Sequence, residues 1–213
     1  AWLYTGGTAL LVPASVFLLE STQHDAAAYK RSITLFIVAC SLLVLAALSA
    51  LRDAMQALPP LMAAQGDRQS FTDAAPTSLL VGHDNEQTGL TTCERSFTNG
   101  YLMLLGGTLF TTGSILYWPA WVGGQGAVGT WIFRLGSFSY MCGSVHTAHG
   151  LVFPADGIRV RQRNWWLAAV GMYLAGALLY IAGGLLGQQK AVLSSKLWLV
   201  GSAFFFGGTV AFQ

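Results

Sequence analysis

Long apolar stretches alternate with shorter polar ones along this chain. A transmembrane helix needs about 20 mostly apolar residues, because each residue advances about 1.5 Å through roughly 30 Å of hydrocarbon. Six stretches approach that length, at residues 1–19, 32–51, 100–120, 128–153, 165–186 and 197–212. The pattern therefore predicts six membrane-spanning helices.

The connections between these stretches predict how the helices are arranged. Lipid offers no partners for exposed peptide groups, and the runs are continuous rather than alternating, which favours helices over a membrane β-barrel. Short loops make consecutive helices antiparallel neighbours. We therefore expect an all-α, polytopic membrane bundle of tandem two-helix hairpins at 1–51, 100–153 and 165–213. The polar segment 52–99 is expected to be an extramembrane loop, either a cap that contacts a partner or a tolerated connection.

The second half of the chain repeats itself. At an offset of 65 residues, positions 99–148 align with 164–213 without a gap. In this alignment Asn99 matches Asn164 and Gly106 matches Gly171. The pairs that begin at Gly136 and Gly143 match those that begin at Gly201 and Gly208. A hairpin has therefore been duplicated, and residues 1–51 are expected to be a third, more diverged copy.

Each predicted span also contains two adjacent small residues that recur seven positions later. Seven residues is about two helical turns, so both pairs lie on one face and let neighbouring backbones approach closely. We call these pairs the small-residue seam and expect them to mediate helix packing. The expected pairs are Gly6-Gly7 with Pro13-Ala14, Ala39-Cys40 with Ala46-Ala47, Gly106-Gly107 with Gly113-Ser114, Gly136-Ser137 with Gly143-Ser144, Ala175-Gly176 with Ala182-Gly183, and Gly201-Ser202 with Gly208-Thr209.

Composition and charge exclude several other classes of protein. Hydrophobic residues make up 54% of the 213 residues and charged residues only 9%, against about 25% charged in an average soluble domain. The net charge is +2 and there are three cysteines. These values argue against disorder, nucleic-acid binding and a secreted disulfide scaffold. Six of the seven tryptophans lie near the ends of predicted spans, which predicts interfacial anchoring.

A short motif in the fourth span resembles a known family. Residues 128–133 read Val-Gly-Thr-Trp-Ile-Phe and are followed by Gly136-Ser137 and Gly143-Ser144. This pattern resembles the YrhK-like domain family, best over residues 100–150 and more faintly over 165–212. The resemblance implies a membrane hairpin of unassigned biochemical role, and it brings no catalytic residues with it.

Arg134 is the only charged residue well inside a predicted span, and Leu199 stands at its position one repeat later. A charge in this environment needs water, headgroups or a counter-ion. Three interpretations remain open: snorkelling to headgroups, pairing with Glu20 or a partner subunit, and contact with a ligand.

Cys142, His146 and His149 follow on the same predicted helix, with a spacing that puts them on one face. Closing a tetrahedral zinc site would take further ligands that the chain does not offer at matching spacing, so no metal site is expected. A single imidazole from His146 or His149 could instead ligate the magnesium of a chlorophyll. Structural hydrogen bonding is the competing interpretation.

Few residues in the spans could support catalysis, since acids, bases and nucleophiles do not converge there. We therefore expect a non-catalytic accessory or scaffold subunit of an energy-converting membrane complex, with a photosynthetic complex favoured over a respiratory one. The expected partners are membrane lipids and other membrane subunits, and no nucleic acid. The expected location is an organellar membrane, thylakoid or mitochondrial inner, and the candidate cofactors are chlorophyll, carotenoid and bound lipid. The alternative is a small-solute transporter or channel, which predicts a polar path between the helices.

Overall fold

A computed structural model describes residues 2–21, 26–72, 83–118, 122–152, 160–186 and 190–212, with only the backbone described for residues 21, 57–72, 83–96, 122–126 and 160–161. These ranges form six helices and contain no strand. The helices are α1 (Trp2–Ser21), α2 (Ala26–Thr72), α3 (His83–Leu116), α4 (Val122–Val152), α5 (Val160–Leu186) and α6 (Ala191–Phe212). The predicted all-α class is confirmed.

The segment expected to be a polar loop is helical over most of its length. Helix α2 continues through residues 52–72, and α3 already begins at His83. Residues 52–58 are Arg, Asp, Ala, Met, Gln, Ala and Leu, most of them good helix formers, so the helix continues where the apolar run ends. The prediction of a loop is therefore wrong for 52–72 and 83–99, while residues 73–82 lie outside the described part.

Within the described ranges, four helices are long and apolar enough to cross a membrane: α1, α2, α5 and α6. Gly, Ser and Thr residues in both helices, and Arg134 in α4, lower the hydropathy of α3 and α4. Their outward positions are nevertheless apolar and exposed, such as Leu105 on α3 and Leu135 and Phe138 on α4. Because α3 and α4 pack side by side with α2 and α5, we assign all six helices to one bilayer.

The six helices form a closed ring. Each helix packs against the helices before and after it in the sequence, and α6 packs against α1. The three hairpins α1–α2, α3–α4 and α5–α6 therefore surround a common axis.

Large side chains fill that axis in four layers, and each layer takes one residue from every second helix. Successive layer positions on one helix are seven residues apart, which is about two turns. Ring contacts connect the layers, since the Phe110 ring centroid lies 5.4 Å from that of Tyr140 and 5.8 Å from that of Tyr180. In order along the axis, the layers are Phe36, Phe133 and Trp198; Leu11, Phe110 and Tyr180; Leu43, Tyr140 and Phe205; and Tyr4, Met103 and Tyr173.

The 65-residue repeat is present, but its ungapped alignment applies only to α4 and α6. Phe133 and Trp198 occupy equivalent positions 65 residues apart. The glycines that face them, Gly113 and Gly183, are 70 residues apart, and a Cβ added at either would lie 2.5 Å from the facing ring. The stretch from the glycine to the facing ring, which includes the connection and the start of the next helix, is therefore five residues shorter in the third hairpin (183–198) than in the second (113–133).

This difference overturns the predicted equivalence of Gly106 and Gly171. A Cβ at Gly106 would lie 2.7 Å from the Tyr140 ring, whereas a Cβ at Gly171 would meet nothing within 4 Å. The counterpart of Gly106 is Gly176, which faces Phe205 at 3.3 Å. The first hairpin repeats the same arrangement, with Gly7 packed against Leu43.

Candidate functional site

In α3, α4 and α6 the pairs of the small-residue seam are buried between the helices as predicted. In α1 and α5 each buried pair begins one residue after the predicted pair. In those two helices the buried pairs are Gly7-Thr8 with Ala14-Ser15, and Gly176-Ala177 with Gly183-Gly184. The confirmed pairs in α3, α4 and α6 are Gly106-Gly107, Gly113-Ser114, Gly136-Ser137, Gly143-Ser144, Gly201-Ser202 and Gly208-Thr209.

The seam brings helix backbones close together within each hairpin. A Cβ added at Gly136 would lie 3.2 Å from the Gly106 carbonyl oxygen, and one added at Gly201 would lie 3.1 Å from the Gly176 carbonyl oxygen. Small residues permit this approach, which dispersion contacts then stabilise. The seam therefore serves packing within this chain.

Hydroxyl groups close the ring between α1 and α6. The Oγ atoms of Ser15 and Ser202 share a hydrogen bond of 2.8 Å. The Tyr180 hydroxyl lies 2.7 Å from the same Ser202 Oγ, so this buried serine joins three helices. In an apolar interior such hydrogen bonds satisfy groups that lipid cannot.

Arg134 lies between α4 and α5. Its Nη2 donates a hydrogen bond of 2.6 Å to the Gly184 carbonyl oxygen, and its guanidinium carbon lies 4.6 Å from the centroid of the Trp131 ring. Gly184 is in the last turn of α5, where carbonyl groups lack an intrahelical partner and a cation is favoured by the helix dipole. Arg134 therefore caps α5 from the neighbouring helix.

The structure does not bring Arg134 and Glu20 together. Glu20 is exposed at the end of α1, and the ring order separates α1 from α4. Within the described part of the chain, the contacts of Arg134 are a carbonyl group and an indole ring rather than a carboxylate.

His146 and His149 lie in the last two turns of α4. His146 is half-buried, and its Nε2 is shielded from solvent without a hydrogen bond to any described residue. His149 is exposed. No group of three or more His, Cys, Asp or Glu side chains that could hold a metal occurs among the described residues. Ligation of a pigment by either imidazole stays a prediction.

A cavity of about 320 Å³ lies at one end of the ring axis, against the layer that contains Tyr4 and Tyr173. We call it the axial cavity. Its walls are mostly apolar and include Phe212. The polar residues described in its lining are uncharged and come from five helices: Asn99, Ser144, Thr147 and Thr209, together with the two tyrosines.

The hydroxyl groups that line the axial cavity already donate hydrogen bonds to other groups of the protein. Three hydroxyls donate to carbonyl oxygens of their own helices at 2.9 Å: Ser144 to Tyr140, Thr147 to Gly143, and Thr209 to Phe205. The Tyr173 hydroxyl lies 2.6 Å from Thr209 Oγ1, and the Tyr4 hydroxyl donates to the sulfur of Met103.

Asn99 differs from these residues because its Oδ1 is buried and has no hydrogen-bond partner among the described residues. The oxygen packs against α4, since a Cβ added at Gly143 would lie 3.1 Å from it, and a buried acceptor without a partner costs about 1–3 kcal/mol. The sequence analysis used Asn99 only as a match in the repeat. The signal that could have identified it is a carboxamide placed directly before the apolar, glycine-rich start of a span.

The chain matches no family model, no curated protein and no solved structure. The resemblance of residues 128–133 to the YrhK-like family therefore stays a prediction. In the structure these residues have packing roles: Thr130 bonds to the Tyr117 hydroxyl, Trp131 lies beneath Arg134, and Phe133 is in the core.

Proposed function

We propose that this membrane protein is a non-catalytic integral subunit that holds neighbouring subunits and lipids in a larger energy-converting complex. The filled axis is the observation that carries the proposal. The thirteen buried residues of the main core, together with the partly buried side chains around them, form one cluster along that axis. Because packed side chains fill the interior and hold the ring together, interactions with other subunits and with lipids take place on the outer surface.

The outer surface suits contacts within a bilayer. Large apolar side chains face outward along the helices, including Leu135 and Val145 on α4 and Phe206 and Val210 on α6. Such a surface accommodates acyl chains and the apolar helices of other subunits equally well.

The alternative function, a small-solute transporter or channel, is less well supported. A transport path needs polar groups or a broken helix near the middle of the membrane. In the described chain, the middle of the axis is occupied by the rings of Phe110, Tyr140 and Tyr180. The axial cavity ends at the layer of Tyr4 and Tyr173.

Within this proposal, we favour a photosynthetic complex in the thylakoid over a respiratory complex in the mitochondrial inner membrane. It depends on ligation of a chlorophyll by one imidazole, and His149 is the better placed residue because it is exposed on the outside of α4. Carotenoid and bound lipid would occupy the apolar outer surface.

The experiment that tests the proposal is native electrophoresis of source membranes after extraction in a mild detergent. We expect the 22.7 kDa chain to migrate in a much larger band that contains other membrane proteins in constant proportion. An absorption spectrum of the same band reports whether pigment is present. A chain that migrates alone and colourless would contradict the proposal, as would flux of small solutes through proteoliposomes that contain only this protein.

A further inference from the structure

We propose that the axial cavity binds a neutral, ring-bearing phenol or alcohol that partitions into membranes. The inference concerns a site inside the ring and does not depend on the scaffold function, which concerns the outer surface. Size, charge, hydrogen-bonding capacity and position in the bilayer each restrict the ligand.

The volume of the cavity suits a small ring system. It measures about 320 Å³, roughly twice the 150 Å³ cavity that accommodates benzene and at the lower limit of ordinary ligand pockets. Aromatic side chains line it: the ring centroids of Tyr4 and Tyr173 are 6.1 Å apart, and those of Tyr173 and Phe212 are 6.2 Å apart. Flat molecules pack favourably between such rings.

Among the residues that the structure describes, no Asp, Glu, Lys, Arg or His lines the cavity. A charged ligand would therefore lose its hydration without gaining a counter-ion, at a high cost in free energy. Carboxylates, phosphates and amines in their ionised forms are excluded on this ground, and the ligand is neutral.

The hydrogen-bonding capacity of the lining favours a ligand that donates. The protons of the Ser144 and Thr147 hydroxyls are directed to backbone carbonyls, so the lone pairs of these two lining residues remain to accept. A hydroxyl group on the ligand would donate to them, whereas an ether or a hydrocarbon of the same shape would not.

The cavity also lies where membrane-dissolved molecules concentrate. Val170 in its lining follows the exposed Trp165 by five residues on α5, or about 7.5 Å along the helix. Because Trp165 marks the lipid–water interface, the cavity opens just inside the hydrocarbon, which is the depth at which an amphipathic phenol or alcohol resides.

Equilibrium dialysis against the full chain in phosphatidylcholine nanodiscs tests the assignment, with empty nanodiscs as the blank. The probes are 2-naphthol, 2-methoxynaphthalene and naphthalene, which share a ring system and differ in the ability to donate. We expect saturable binding of one 2-naphthol per chain, about tenfold tighter than either of the other probes, since one net hydrogen bond corresponds to about that factor.

Variants locate the site. Thr147 lines the cavity, and Thr147→Val removes its hydroxyl at nearly constant volume, so it is expected to weaken 2-naphthol binding about tenfold and to leave naphthalene binding unchanged, which also shows that the cavity is intact. Ala50 lines the cavity, so Ala50→Phe is expected to abolish binding of every probe. The adjacent Ser49 is exposed and outside the lining, so Ser49→Phe is the matched control and should bind like the wild type.

Equal binding of the three probes by the wild type would overturn the assignment of a donating ligand. Binding that survives Ala50→Phe would overturn the assignment to this cavity, because the probes would then be dissolved in lipid or bound elsewhere. If Thr147→Val does not fold, the comparison of probes on the wild type still decides the question. Neither result bears on the native-gel test of the scaffold function.

Discussion

Several glycines lie directly against aromatic rings, with no room for a side chain. Gly183 is buried beneath Trp198, and a Cβ there would lie 2.5 Å from the indole. The indole cannot easily move away, because its Nε1 donates a hydrogen bond of 3.1 Å to the Tyr180 carbonyl oxygen. Gly171 is on the same helix, and a Cβ there would lie in open space.

Gly183→Ala is therefore expected to destabilise the protein, and Gly171→Ala to stabilise it. Overpacking costs about 1–3 kcal/mol, which exceeds the gain of about 0.5–1 kcal/mol from replacing a helical glycine by alanine; at Gly171 only the gain applies. The free energy of unfolding in mixed micelles, followed by circular dichroism, measures both. Equal effects at the two positions would show that Trp198 does not pack on Gly183.

The burial of the small residues was largely predictable from the sequence, but which two adjacent residues are buried was not predictable in every helix. The seven-residue recurrence of small pairs correctly identified Gly136-Ser137 and Gly201-Ser202 as buried. In α1 and α5 several adjacent positions are all small, so size alone could not decide which two face inward. Trp198, which was not among the six tryptophans predicted to anchor the chain at the interface, packs against the core.

At the scale of the helices, α5 depends on its neighbour for its C-terminal cap. Arg134 donates to the Gly184 carbonyl oxygen across the α4–α5 contact. The capped carbonyl, the helix dipole and the Trp131 ring together offset the cost of placing a guanidinium in an apolar environment.

Arg134→Leu is expected to lower the free energy of unfolding by about 1–2 kcal/mol, because the cap and the dipole interaction are lost. Arg134→Lys keeps a cation that can donate to the same carbonyl and should lose less. Urea or SDS titration of the purified variants gives the comparison. A leucine variant more stable than the wild type would mean that desolvation of the charge outweighs the cap.

The limits of prediction at this scale have a physical cause. Hydropathy identified the six helices because burial in lipid requires long apolar runs. It could not show that α2 continues to Thr72, since a helix leaving the membrane no longer needs apolar residues. The offset of 70 between Gly113 and Gly183 was also hidden, because an ungapped alignment cannot detect that the stretch between the two helices' facing positions is five residues shorter in one copy.

At the scale of the whole molecule, contact between the first and last helices closes the ring. The Oγ atoms of Ser15 on α1 and Ser202 on α6 are 2.8 Å apart and buried. No pattern within either span predicted this pairing, because it joins positions 187 residues apart and depends on how all three hairpins assemble.

Cysteines introduced together by Ser15→Cys and Ser202→Cys are expected to form an intrachain disulfide upon mild oxidation, since side chains this close meet the distance requirement for a bridge. Non-reducing electrophoresis should show a monomer of altered mobility, and either single variant should show none. Cross-linked dimers in place of the monomer would indicate that α1 and α6 pair between chains.

The layered core also bears on the origin of the chain. One hairpin supplies a single side chain to each layer and leaves it uncovered on two sides, so it could not bury its own rings. Three separate copies would have to meet as a trimer, at a loss of translational freedom that grows more severe as the copies become dilute. Joining them in one polypeptide replaces that encounter with an intramolecular one. It also allows the sequence of each copy to change independently. The second hairpin, for example, has Arg134 where the third has Leu199.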